Sequence, residues 1–147
     1  MNLKHLGAYG LIIDSNRIVL IKKVGGPYDG KLDLPGGTIE WGEKPCEAMI
    51  REIKEEVGIT VNEYELMDAN SIIHEWIYKE ELEKCHHIGI FYKILNYSGE
   101  ILENINIDKI NDDSKGAKFY DIATLRKKEL SPIVKLQLER LGYKLKD

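Results

Sequence analysis

Residues Gly37 to Ile59 read G-T-I-E-W-G-E-K-P-C-E-A-M-I-R-E-I-K-E-E-V-G-I. Pro35-Gly36-Gly37 just before them breaks any regular element, so a sharp bend is expected there. Pro45 suits a first helical turn, because its missing N–H would be unpaired in any case. Glu43 or Gly42 is the expected cap. From Cys46 the apolar residues fall at Cys46, Met49, Ile50, Ile53 and Val57, which is helical spacing with one stripe toward a core. Gly58 stands where helices commonly end in a left-handed turn.

The same helix carries Arg51 and then Glu52, Glu55 and Glu56. At about 100° per residue the three glutamates share an arc of about 100° beside the apolar stripe. Like charges three or four positions apart destabilise a helix by roughly 0.2–0.5 kcal/mol per pair. Late in a helix they also oppose the macrodipole, which favours cations there. A solvated acidic face would explain three glutamates alone. A bound hard cation would reverse both penalties, and carboxylate oxygens suit Mg²⁺ or Mn²⁺.

The 23 residues match a longer pattern, Gly-x5-Glu-x7-Arg-Glu-U-x-Glu-Glu-x-Gly-U, where U is bulky and aliphatic. A chance match in this chain is on the order of one in a million, given about 7% usage per fixed residue. The chain thereby resembles the Nudix hydrolases, which cleave nucleoside diphosphates linked to another group, and among them the MutT-like members. The resemblance implies a single domain over 1–147 with the box at 37–59. It implies an α/β/α sandwich with a mixed β-sheet between helices. It makes Glu52, Glu55 and Glu56 metal ligands, Glu52 also a candidate general base, and Arg51 the group that orients a glutamate. Gly36 matches a position whose carbonyl reaches the metal. Gly37 and Gly58 shape the loop-helix-loop, and Glu43 has a less settled role. Lys23 and Gly37 are the candidate substrate contacts, although a strand-end lysine such as Lys23 is more often simply solvated. Asp113, with Asp112 as fallback, is the expected ligand from outside the box, in a stretch that also reads as a polar turn. The cofactor implied is Mg²⁺, with Mn²⁺ as the other choice.

Composition is consistent with that reading. The chain has 147 residues, 43% apolar and 31% charged, with a net charge of −4. That is enough for one sizeable core. The charge argues against nonspecific binding of long nucleic acid, which rests on phosphate neutralisation. No apolar run approaches the roughly 20 residues that span a bilayer. Cys46 and Cys85 lack metal-type spacing, so free thiols in a reducing cytoplasm are expected. The expected partner is a small nucleotide. A homodimer through an exposed strand or aromatic surface stays open.

Elsewhere, Leu6–Ile13 and Arg17–Val24 flank Asp14-Ser15-Asn16 as a hairpin. Lys31–Leu34, Glu63–Tyr78, His87–Leu95 and Lys118–Asp121 read as strands. Glu80–Lys84 reads as a charged turn, Ile122–Lys127 as one or two helical turns, and Pro132–Leu141 as a helix. Trp41, Tyr28 and Trp76 could stack on a base, yet packing is the commoner role. His74, His86 and His87 lack metal-ligand spacing.

Markers of some substrate classes are missing. No proline lies between Pro45 and Pro132, where the resemblance would place one in ADP-ribose pyrophosphatases. The tyrosine of the dinucleoside-polyphosphate group and the NADH-pyrophosphatase motif are absent too. A nucleoside triphosphate hydrolase remains by elimination. Leu130 and Ser131 stand where a guanine-reading asparagine would be. The competing class is a silent Nudix-fold module that senses a nucleotide. Such modules usually lose box glutamates, and this chain keeps them.

Overall fold

The computed structural model describes residues 2–101 and 114–147, with 114 and 115 described by backbone alone. Its strands are β1 (Asn2–Leu11), β2 (Ile13–Asp14), β3 (Arg17–Lys23), β4 (Leu32–Asp33), β5 (Gly36–Thr38), β6 (Thr60–Tyr78), β7 (Glu81–Ser98) and β8 (Ser114–Asp121). The helices are α1 (Pro45–Val57) and α2 (Pro132–Arg140). Two short 3-10 turns, Ile122–Thr124 and Lys127–Glu129, fill the stretch read as one or two helical turns.

The strands form two sheets. One has the order β5-β1-β7-β6 and is mixed, because β1 and β7 run parallel. In the other, β3 pairs antiparallel with β2, β4 and β8. Successive side chains point to opposite faces, and the core follows that alternation. Tyr9, Leu11, Ile18, Leu20 and Phe91 pack with Ile133, Val134 and Leu138 of α2. Ala8, Ile12, Val19, Ile21 and Tyr92 pack with Ala48, Met49, Ile53 and Val57 of α1. The two helices therefore cover opposite faces, which is the expected α/β/α sandwich.

Local expectations meet the structure unevenly. The hairpin turn at Ser15-Asn16 is present, with φ of 50° and 64°, and pairs β2 with β3. Gly58 ends α1 with φ 85°, its N–H donating to the Lys54 carbonyl. Neither Glu43 nor Gly42 is the cap. Lys44 takes that place, and the Glu47 carboxylate accepts its N–H at 2.9 Å. Glu43 is engaged elsewhere. The charged turn shrinks to Lys79-Glu80, and Glu81 to Lys84 already belong to β7. Alternation explains the shift, since Glu83 and Cys85 are buried while Leu82 and Lys84 face out.

The seating of α1 sets where its glutamates stand. Ile53 is fully buried, and a Cβ on Gly10 would come within 2.5 Å of its Cδ1. Gly10 leaves the room that the end of the Ile53 side chain fills where α1 packs on β1. Ile53→Ala should lower stability by about 2–5 kcal/mol. Urea unfolding checks this, and a shifted midpoint with unchanged slope is the expected result.

Candidate active site

Arg51 organises the acidic face of α1. Its Nε and Nη2 donate to the two oxygens of Glu43 at 2.8 and 2.9 Å, a bidentate pair. Its Nη1 donates to Glu52 at 3.0 Å and lies 3.5 Å from Glu55. Nη2 also reaches the Thr38 carbonyl at 3.2 Å. One guanidinium thus ties α1 to the loop after β5. The Arg51 hydrogen bonds, followed by the Glu40 N–H, hold Glu43 down at about 2. Glu43 raises Arg51 in turn, so this arginine stays charged.

Glu52 and Glu56 face a cleft of about 260 Å³, together with Gly36, Gly37 and Lys23. Glu56 is 4% exposed, and its Oε1 accepts the Gly36 N–H at 2.8 Å. Gly36 itself has φ 138°, and a Cβ there would meet the Ala8 carbonyl at 2.2 Å. Only glycine fits. A Cβ on Gly37 would meet the Glu52 carboxyl carbon at 2.9 Å. Glu55 stands apart, with its side chain 55% exposed beside Arg51. Asp113 and its fallback Asp112 lie outside the described residues. Trp41 is fully exposed, and Trp76 stacks on His74.

Much of the remaining cleft wall comes from residues not selected as site candidates in the sequence, His5, Tyr9, Tyr28, Asp33 and His87 among them. Tyr28, a candidate for stacking on a base, is instead buried against His74 and His87. Register explains the grouping, since β1 and β7 run parallel with His5 opposite His87. His87 is 1% exposed, and burial, then His5 and Lys23, push it down to about 3. Burial first, then Asp33, raises both Tyr9 and Tyr28, so both keep their protons. Asp33 is raised by burial and partly held down by Lys23, Ser131 and the Leu34 N–H.

The donor set is hard oxygen on one wall of the cleft. Among the described residues no group of three or more His, Cys, Asp or Glu side chains is placed to hold a metal ion. Hard oxygen donors suit Mg²⁺, which commonly takes the rest of its shell from phosphates and water.

A family model for the NUDIX domain matches residues 3–140. The chain belongs to the Nudix family. It is 34% identical over 118 residues to an ADP-ribose pyrophosphatase of Methanocaldococcus jannaschii, covering 80% of this chain and 62% of that one. It is 40% identical over 80 residues to an 8-oxo-dGTP diphosphatase of Escherichia coli, covering 48% of this chain and 62% of that one. Among solved structures it is similar to a MutT NUDIX hydrolase from Burkholderia pseudomallei, with TM-score 0.72 and 25% identity over 95% of this chain and 98% of that one. Among the described residues no helix is long and apolar enough to cross a membrane.

The Arg51–Glu43 pair has a sign that can be checked. A carboxylate held down at about 2 contributes stability that is complete above its ordinary value of 4.5 and fades as pH falls toward 2. Arg51→Met should return Glu43 toward 4.5 in a carboxyl ¹³C titration. An unmoved Glu43 would show that Arg51 is not what holds it.

Proposed function

We propose that this chain hydrolyses a diphosphate linkage in a nucleoside triphosphate or another nucleoside diphosphate derivative, using Mg²⁺, with Mn²⁺ able to replace it. The observation that carries this reading is the convergence of Glu52, Glu56, Gly36, Gly37 and Lys23 on one cleft, with Arg51 fixing Glu52 from behind. Glu52 and Glu56, with the Gly36 carbonyl and the more exposed Glu55, would hold the ion. When bound, it neutralises phosphate charge and lowers the pKa of a coordinated water.

The chain's own residues do the rest. Lys23 offsets the negative charge of an entering phosphate. Gly37 lets the substrate and the Glu52 carboxylate approach without a side chain between them. Glu52 accepts the proton of the attacking water. The water oxygen bonds to phosphorus, the bridging P–O bond breaks, and the leaving phosphate departs with that electron pair. Arg51 keeps Glu52 from swinging away, so the base is oriented before the substrate arrives.

The relatives point to two substrate classes, ADP-ribose and a nucleoside triphosphate. The missing downstream proline favours the triphosphate; the longer match favours ADP-ribose. A small nucleotide is common to both. The matches span only 62% of either relative's own length, so neither substrate carries over whole. A nucleotide-sensing role without cleavage leaves the retained glutamates unexplained.

A screen of nucleoside triphosphates, ADP-ribose and nucleotide sugars with Mg²⁺ or Mn²⁺, resolving the products, tests this. Phosphate, pyrophosphate or nucleoside monophosphate should appear only with the metal. Glu52→Gln should lower turnover by about 10²-fold or more at saturating Mg²⁺. Near-normal turnover in that variant would remove Glu52 as the base. Gly37→Ala should leave stability nearly unchanged and lower turnover about 10-fold or more, because its methyl displaces a flexible carboxylate rather than backbone.

A further inference from the structure

Three side chains on the cleft wall share two hydrogen bonds. His87 Nε2 lies 2.6 Å from the Tyr9 hydroxyl, and Nδ1 lies 2.6 Å from the Tyr28 hydroxyl. A neutral imidazole has one N–H and one lone pair. One phenol therefore donates to the ring, and the other accepts from it. The accepting phenol keeps its own hydrogen unspent. Among the described residues neither hydroxyl has another hydrogen-bond partner. Both tyrosines are nearly buried, at 2% and 5% exposure. A buried polar hydrogen without a partner is rare. This one lies on a cleft wall, where an incoming ligand can supply the partner.

Position decides which phenol keeps the hydrogen. Tyr9 lies opposite Gly36 on the neighbouring strand β5, and the Gly36 N–H holds Glu56. Tyr9 stands in the field of Asp33, Glu56 and Glu52, whereas Tyr28 feels Asp33 and meets His74 edge-on at 5.1 Å. A negative field draws the hydrogen of an O–H dipole toward the cleft. Tyr28 then donates to Nδ1, Nε2–H donates to Tyr9, and Tyr9 points its hydrogen inward. The imidazole stacks on His5 at 4.6 Å and lies nearly parallel to the Tyr28 ring at 5.5 Å.

We propose that this relay presents the Tyr9 hydroxyl as an uncharged hydrogen-bond donor to a phosphate oxygen of the substrate, with His87 and Tyr28 as positioning residues that set its direction. The idea rests on the diphosphate-hydrolase reading above for the identity of the ligand. Charge explains why a phenol serves here. Lys23 already brings one cation to this cleft, and a second at the place of Tyr9 would pair with Glu52, Glu56 or Asp33, as Arg51 does on the outer side of Glu52. A phenol that keeps its proton can serve the phosphate without drawing the carboxylates away from a metal.

Two measurements test the relay. The first is the tautomer of His87, read by ¹⁵N NMR on the ligand-free protein at neutral pH. Nε2 should carry the proton; a proton on Nδ1 overturns the proposal. The second is calorimetric binding of methylenediphosphonate, an uncleavable diphosphate, with Mg²⁺ present. Tyr9→Phe should weaken binding about 10-fold or more, the size of one hydrogen bond to a charged group. Tyr28→Phe takes the donor away from Nδ1, so the ring is held at Nε2 alone; the proton should stay on Nε2, and binding should weaken by less than Tyr9→Phe weakens it. A role in packing alone predicts neither the Nε2 tautomer nor a larger loss in Tyr9→Phe than in Tyr28→Phe. Unchanged binding in folded Tyr9→Phe overturns the proposal. Neither readout needs turnover. If the wild-type chain cleaves nothing in the screen while both readouts hold, the hydrolase reading falls and the donor stands.

Discussion

Four carboxylates crowd into one corner of this molecule, and Arg51 is what allows it. Glu40, Glu43, Glu52 and Glu55 all lie within 4.0 Å of its guanidinium. Without it the late glutamates of α1 would repel one another and oppose the helix dipole. The planar fork matters as much as the charge. Two of its nitrogens take both oxygens of Glu43, and a third remains for Glu52. A lysine offers a point charge that cannot make this planar bidentate contact. Glu56 has a different anchor, the Gly36 N–H. The two cleft-facing glutamates are thus held from opposite sides, one by the helix's own arginine and one by the backbone of β5.

Much of this was legible because it is local. The stripe Met49, Ile53 and Val57 sits at helical spacing, and all three are buried in the α1-side core. Gly58 ended the helix where it was expected. The α/β/α layering came from the resemblance, and β1 and β3 bear it out by alternating between two cores. The wrong cap and the overlong turn share one cause. Glu43 and Glu81 to Lys84 look like solvated surface by composition, but one is spent on Arg51 and the others follow a strand register fixed by β6. The aromatic wall was not legible. His5, Tyr9, Tyr28 and His87 are brought together by a parallel pairing about 80 residues apart in sequence and by a loop, and no local period encodes that.

The far helix reaches the site through a buried contact of the same nonlocal kind. Ser131 precedes α2 and would ordinarily cap it with its hydroxyl. Here the hydroxyl donates to Asp33 at 2.7 Å, and the Ser131 N–H donates to the Leu32 carbonyl at 2.8 Å. Helix α2 is therefore fastened to β4, two residues from the bend that opens the box. Asp33 is buried beside Tyr9 and Tyr28, and these bonds with Lys23 offset part of the cost of its charge. At the other end of α2, Gln137 donates to Asp68 of β6 at 2.9 Å, and Arg140 pairs with the same carboxylate. The α2 face is thereby tied to both sheets, which keeps the cleft wall rigid on the side away from α1.

The two faces meet at the glycines of β5. The glutamates belong to α1 and the core on its side; Tyr9 belongs to the core on the α2 side. A side chain on Gly36 would strike the Ala8 carbonyl and Tyr9, and one on Gly37 would strike Glu52. With neither present, β5 is a thin wall: the carboxylates of one layer and the hydroxyls of the other open onto a single cleft. Pro35-Gly36-Gly37 therefore does more than turn the chain. It removes the material that would otherwise separate the groups suited to a metal ion from the groups suited to the phosphate beside it.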